Sequence, residues 1–207
     1  METQLDLESI DAVLGTTRSV RRRLDMDRPV DRAILYECIN LSTQAPMGLG
    51  GESWRFLVVT DDEQKQRIAD LYKSVITTMI ETNQVDIKPT QHALIERLPK
   101  IPAMIFVCIV GEPPGSEVSS QIGFYGSILP VAWSLMLALR SRGLGATWTS
   151  LLASRQSDVS EILNIPDGVV QTVMFPVAYT KDANLKMVDR QDAREVTYWN
   201  VWGDRDL

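Results

Sequence analysis

The stretch SILPVAWSLMLALRSRGLG, residues 127–145, decides the fold. With the residues just before it, it predicts one long helix over 121–142. Ile128, Leu129, Val131, Ala132, Trp133, Leu135, Met136, Leu137 and Leu139 cover every face of that helix. A helix that is apolar all round must be enclosed by protein on all sides. In a chain of 207 residues, a partner subunit can supply part of the enclosure. Gly143-Leu144-Gly145 ends the helix, with Gly143 suited to the left-handed cap. A C-cap does not account for the small, hydroxyl-rich run that follows, Ala146-Thr147-Trp148-Thr149-Ser150.

Working outward, Ala103–Val110 and Arg55–Thr60 read as buried strands, and Val169–Tyr179 as a third. Asp61 or Asp62 caps a long helix. Its stripe of Ile68, Leu71, Tyr72, Val75, Ile76, Met79 and Ile80 fits the i, i+3, i+4, i+7 pattern. Asp31 caps a helix through Ile34, Leu35, Cys38 and Leu41, which Pro46 stops. Leu7, Ile10, Val13 and Leu14 give a first helix that Gly15 can close. Residues 82–100 read as polar and irregular with a short helical piece, Val159–Leu163 as a short helix, and Glu195–Trp202 as an extended tail. Helices interspersed with three or four strands, without βαβ alternation, point to an α+β fold in a single domain, 1–207.

Lys plus Arg is 21 and Asp plus Glu is 27, a net charge of −6, which disfavours nucleic acid as a partner. One histidine, His92, and two cysteines in apolar runs, Cys38 and Cys108, argue against a histidine triad, a multi-histidine metal centre and a disulfide scaffold. The acidic N-terminus lacks a basic region before an apolar core, so no signal peptide is expected. The longest unbroken apolar run, 101–110, is far shorter than the ~20 residues that span a bilayer. These features predict a cytoplasmic protein with no membrane partner.

Four segments carry candidate chemistry. Arg18-Ser19-Val20-Arg21 opens a basic stretch holding six of the 21 basic residues between positions 18 and 32. Guanidinium forks match the oxygens of phosphate, although alone the run reads as a solvated loop. Ala45-Pro46-Met47-Gly48-Leu49-Gly50-Gly51-Glu52-Ser53-Trp54 offers bare backbone to a ligand, but alone it is a helix-to-strand turn without phosphate-loop or dinucleotide-binding glycine spacing. The third is Arg140–Ser150, and the fourth is Lys186-Met187-Val188-Asp189-Arg190, a basic pair that alone is ordinary surface.

In this order the four segments resemble the FMN-dependent nitroreductase family. Thr17-Arg18-Ser19-Val20-Arg21 stands where the family has Arg-Arg-Ser-x-Arg; Ala45 to Phe56 matches its Ala-Pro-Ser-Gly-x-Asn-x-Gln-Pro-Trp-x-Phe; Ser127 to Gly145 matches its central helix; Ile165-Pro166 and Arg190 match later positions. The resemblance covers about residues 8–202 and is closest to an actinobacterial branch. It implies a mainly antiparallel sheet wrapped by helices, in an intertwined homodimer with two FMN molecules at its interface. Arg18, Ser19 and Arg21 would meet the phosphate, ribityl chain or pyrimidine edge; Lys186 and Arg190 would meet the phosphate. Pro46, Met47, Gly48 and Gly50 would line the isoalloxazine from the partner chain. Thr149, Ser150 and Leu151 would approach flavin N5 and O4. Residues 74–100 would cover the site, and 190–207 would be the arm exchanged between subunits. Met79, Gln84, His92, Phe124 and Tyr125 are candidate substrate contacts.

The family pattern implies hydride transfer from NADH or NADPH through flavin N5 to a nitroaromatic or quinone-type acceptor by a ping-pong route. Such a route needs no dedicated acid–base side chain, in keeping with the single histidine. The sequence also departs from the pattern. Thr17 replaces an arginine, removing a charge-assisted contact worth ~1.5–3 kcal/mol. Met47, Gly50, Glu52 and Ser53 replace serine, asparagine, glutamine and proline. Two alternatives therefore stay open: a flavin-dependent desaturase using O2, and a flavin-free accessory or binding protein on the same fold.

Overall fold

Three strands of alternating direction make the centre of the sheet in a computed structural model that describes residues 5–48, 51–82 and 87–205. In chain order the elements are α1 (Leu7–Thr16), β1 (Leu24–Asp25), α2 (Arg32–Ser42), β2 (Trp54–Val59), α3 (Asp62–Glu81), α4 (Pro89–Arg97), β3 (Ala103–Val110), α5 (Val118–Gly126), α6 (Leu129–Ser141), β4 (Leu144–Ala146), α7 (Gln156–Leu163), β5 (Val169–Thr180) and α8 (Ala193–Val196). The chain divides into two compact units, residues 17–183 and a terminal unit of 1–16 with 184–207.

Within 17–183 the strand order is β1-β5-β3-β2, with β4 also on β5 and every pairing antiparallel. β3 is an unbroken apolar run because both faces are covered; all but Val110 of its residues are buried. Its ladder with β5 shifts register after Val107↔Val173, where Cys108 pairs with Gln171. The extra residue, Thr172, donates its hydroxyl to the Val107 carbonyl at 2.9 Å, so the bulge leaves no orphaned oxygen there.

α6 lies against α2 and the sheet, burying Val131, Ala132, Leu135, Met136 and Leu139. The single helix expected over 121–142 is two helices. Pro130 sits in the first turn of α6, where its missing N–H costs nothing, and the chain breaks just before it at Ser127 and Ile128. Leu129, Trp133, Val118 and Ile122 leave an apolar side exposed in the single chain, so any enclosure of that side has to come from a partner. By length and mean hydropathy (1.7), Val118–Ser141 could cross a membrane, more than the apolar run over 101–110 suggested. Here that length is split between two helices, and the inner face of α6 is part of the core.

Gly143 (φ +74°) closes α6 as the cap its sequence required. Gly145 is needed for a different reason. A Cβ there would stand 2.8 Å from Leu24 Cδ2 and Thr180 Cγ2 and 3.2 Å from Val20 Cβ, so any larger residue would have to displace these side chains. Asp61 and Asp31 cap α3 and α2 by accepting from the Gln64 and Ala33 amides. Lys65, on the inner side of α3, is buried and satisfied: Nζ donates to the Ile101 carbonyl at 2.9 Å and pairs with Asp62 at 2.8 Å.

In the terminal unit α1 continues through Thr16, so Gly15 lies inside the helix rather than ending it; a Cβ there would be 3.2 Å from the Met187 side chain. The extended tail expected over 195–202 is instead the short helix α8, capped by Asp192, followed by turns. Helical φ/ψ wins there because the Asp192 carboxylate accepts from the Arg194 amide and pairs with its guanidinium. Tyr198 stacks on Trp202 with ring centroids 4.6 Å apart.

Candidate functional site

The loop after β4 and the segment before β1 are stitched together residue by residue. The Val20 amide donates to the Ala146 carbonyl at 2.9 Å. Thr147, fully buried, donates its hydroxyl to the Val20 carbonyl at 2.7 Å. The Trp148 amide then donates to Ser19 Oγ at 3.0 Å. Thr149 pairs with Met174 of β5 in both directions, at 3.2 and 2.8 Å, which fixes the loop to the sheet. Trp148 is held edge-on to Phe175 at 5.5 Å.

This seam opens a cavity of about 300 Å³ lined by Arg21, Thr149, Ser150 and Leu151, with Tyr72, Ile76 and Met79 from α3 and Gln91 from α4. Thr149 donates to the Tyr72 hydroxyl oxygen at 3.4 Å, and the Leu151 amide reaches Thr149 Oγ1 at 3.4 Å. The Ser150 amide donates to no acceptor among the described residues. Arg18 and Arg21 have no carboxylate within 4.0 Å among those residues. The cavity therefore offers an apolar floor, two weakly engaged amides and an uncompensated guanidinium. That donor set suits a flat, electron-accepting heterocycle bearing an anionic tail.

Not every expected residue converges there. Pro46, Met47 and Gly48 lie on the α2–β2 connection, where the Gly48 amide donates to Ser127 Oγ at 3.2 Å beside the α5–α6 break. Phe124 and Tyr125 form an edge-on pair on α5, and Phe124 packs on the core. None of these five lines the cavity. His92 lines a separate groove beside α4. Lys186 and Arg190 are exposed in the terminal unit. Gly50 and Gln84 lie outside the described residues.

Six lining residues were not singled out as site residues: Tyr72, Ile76, Ile87, Gln91, Thr147 and Trp148. Tyr72 was legible only as part of the α3 stripe, although its hydroxyl, alone in that apolar row, signals a polar contact. Cys38 and Cys108 are buried as expected, and burial pushes their thiols up to about 11 and about 12, which leaves neither as a nucleophile at neutral pH. Among the described residues no cluster of three or more His, Cys, Asp or Glu could hold a metal ion.

The fold is an α+β scaffold built on an antiparallel sheet, and the chain belongs to the nitroreductase family, whose model matches residues 14–179. It is 24% identical over 175 residues to an iodotyrosine deiodinase of Thermotoga neapolitana, covering 84% of this chain and 90% of that protein. Its fold is similar to that of an oxidized iodotyrosine deiodinase bound to FMN and 3-iodo-L-tyrosine (TM-score 0.71, 21% identity, 91% of this chain and 98% of that one). It is also similar to an NADPH:FMN oxidoreductase from Vibrio harveyi complexed with NAD+ (TM-score 0.69, 16% identity, 95% and 78%). These likenesses support the family and no branch of it, so the actinobacterial assignment is left without support.

Proposed function

We propose that this chain is an FMN-dependent oxidoreductase that passes hydride from NADH or NADPH to a small organic acceptor of the nitroaromatic or quinone type. The observation that carries the reading is the cavity where Arg21, Thr149, Ser150 and Leu151 meet, with its guanidinium unpaired and its Ser150 amide unused. FMN, when bound, supplies the hydride-accepting and hydride-donating ring position; the chain supplies binding, orientation and electrostatics. Arg21 would stabilise negative charge on the pyrimidine side of the ring. The Ser150 and Leu151 amides would hold the edge opposite. Ser19, Arg18, Lys186 and Arg190 would take the ribityl chain and phosphate. Tyr72, Ile76 and Met79 form an apolar wall that excludes water from the reacting face.

Among the described residues lining the cavity there is no carboxylate. The exposed apolar side of α5 and α6, with Val118, Ile122, Leu129 and Trp133, supports a homodimer. In that dimer Pro46, Met47, Gly48 and Gly50 would reach the partner's flavin, and 190–207 would be the exchanged arm. Residues 74–100, spanning the end of α3 and α4, would be the cover. Anaerobic titration of the FMN-loaded protein with NADPH or NADH tests the reading. Bleaching of the flavin absorbance is expected; a flavin that stays oxidised while a stoichiometric organic substrate bleaches it would refute the reductase direction.

A further inference from the structure

The proposed function leaves one charged groove unused. It has a volume of about 600 Å³ and runs between segment 22–23 and α4, lined by Arg22, Arg23, His92, Glu96 and Arg97. Arg97 donates to the Arg22 carbonyl oxygen, which ties the two walls together. Among the described residues, none of the three guanidiniums has a carboxylate within 4.0 Å. Glu96 stands in the same groove and pairs with none of them. In a protein of net charge −6, three like charges gathered on one groove are a local reversal of sign that an anion would relieve. Their forks match phosphate oxygens better than a point charge would.

The groove and the cavity draw on the same two stretches of chain, segment 21–23 and α4. Arg21 and Gln91 line the cavity, while the next residues in chain order, Arg22 and His92, line the groove. We infer that the groove holds the phosphomonoester end of a ligand whose other end reacts in the cavity. The inference rests on the reading of the cavity as the reaction site. The phosphate has two possible carriers: the 2′-phosphate of NADPH, or a phosphorylated acceptor.

Calorimetric titration with adenosine 2′,5′-bisphosphate, adenosine and inorganic phosphate tests it without any need for turnover. The bisphosphate is expected to bind about tenfold or more tightly than adenosine, the size of one lost charge-assisted contact. The double variant Arg22→Ala/Arg23→Ala should abolish the difference. Glu96→Gln should tighten binding by about twofold or more, a gain that misfolding cannot produce. Equal affinity for the bisphosphate and adenosine, or a double variant indistinguishable from the parent, would overturn the inference. Parent binding of inorganic phosphate as tight as the bisphosphate, lost in the double variant, with equal use of NADH and NADPH, supports the groove and assigns it to a phosphorylated acceptor. A colourless protein that still binds the bisphosphate defeats the flavin reading and spares the groove; a yellow one that binds none does the reverse.

Discussion

Thr147→Val removes one oxygen from the seam that builds the site. Thr147 is fully buried, and its hydroxyl donates to the Val20 carbonyl at 2.7 Å. Valine has nearly the same shape but no donor, and it leaves a carbonyl on a residue only 5% exposed without its partner. The loss of such a bond with a buried orphan left behind costs about 1–3 kcal/mol. For a domain of this size each kcal/mol lowers Tm by about 2–4 °C. The Val20 carbonyl anchors the turn between Ser19 and Arg21, so FMN affinity should fall as well, while Thr147→Ser should keep both stability and affinity. Urea denaturation with a flavin-binding titration measures the two effects. A Thr147→Val protein within about 0.5 kcal/mol of the parent, with unchanged flavin affinity, would refute the claim that this seam positions the site.

Other expectations follow from other contacts. Arg18→Ala should weaken FMN binding more than Arg32→Ala, measured by fluorescence quenching; equal losses would undo the first-motif assignment. Trp133→Glu places a charge on the exposed face of α6 and should yield monomers in light scattering at micromolar concentration, whereas an unchanged species would remove that face from the interface. Leu135→Ala, at a position with no solvent exposure, should cost about 2–5 kcal/mol in chemical unfolding. Glu117 accepts from the Ser119 and Ser120 hydroxyls and amides at the start of α5, and those bonds hold its carboxyl down at about 2 from 4.5. Its capping contribution is therefore complete above pH 4.5 and lost as pH falls toward about 2. Amide exchange at Ser119 and Ser120 across that range should show the loss, and Glu117→Gln should flatten it.

Much of this fold could be read from pattern alone because its core obeys simple periods. β3 and α3 announce themselves by an unbroken apolar run and a helical stripe, and Asp31 and Asp61 by their capping chemistry. The break between α5 and α6 was missed because apolarity on every side outweighed the one residue that decides it, Pro130. The short β1 and β4 have no period to detect; they exist because Gly145 permits the close approach and β5 supplies the partner. In the site, Arg21 and Thr149 to Leu151 were legible because charge and hydroxyl chemistry cluster in sequence. Tyr72 and Gln91 were not, because they reach the cavity from helices distant in the chain and only tertiary packing brings them there. Segment 45–48 lines no part of the cavity of its own chain.

The central claim is that the cavity holds FMN, and a visible absorbance spectrum of the purified protein, repeated after FMN addition and desalting, tests it most directly. The bands of protein-bound oxidised flavin are expected in at least the second sample, at one flavin per chain. A flat spectrum in both would contradict it and leave the seam of Val20, Thr147 and Trp148 as scaffold for another ligand.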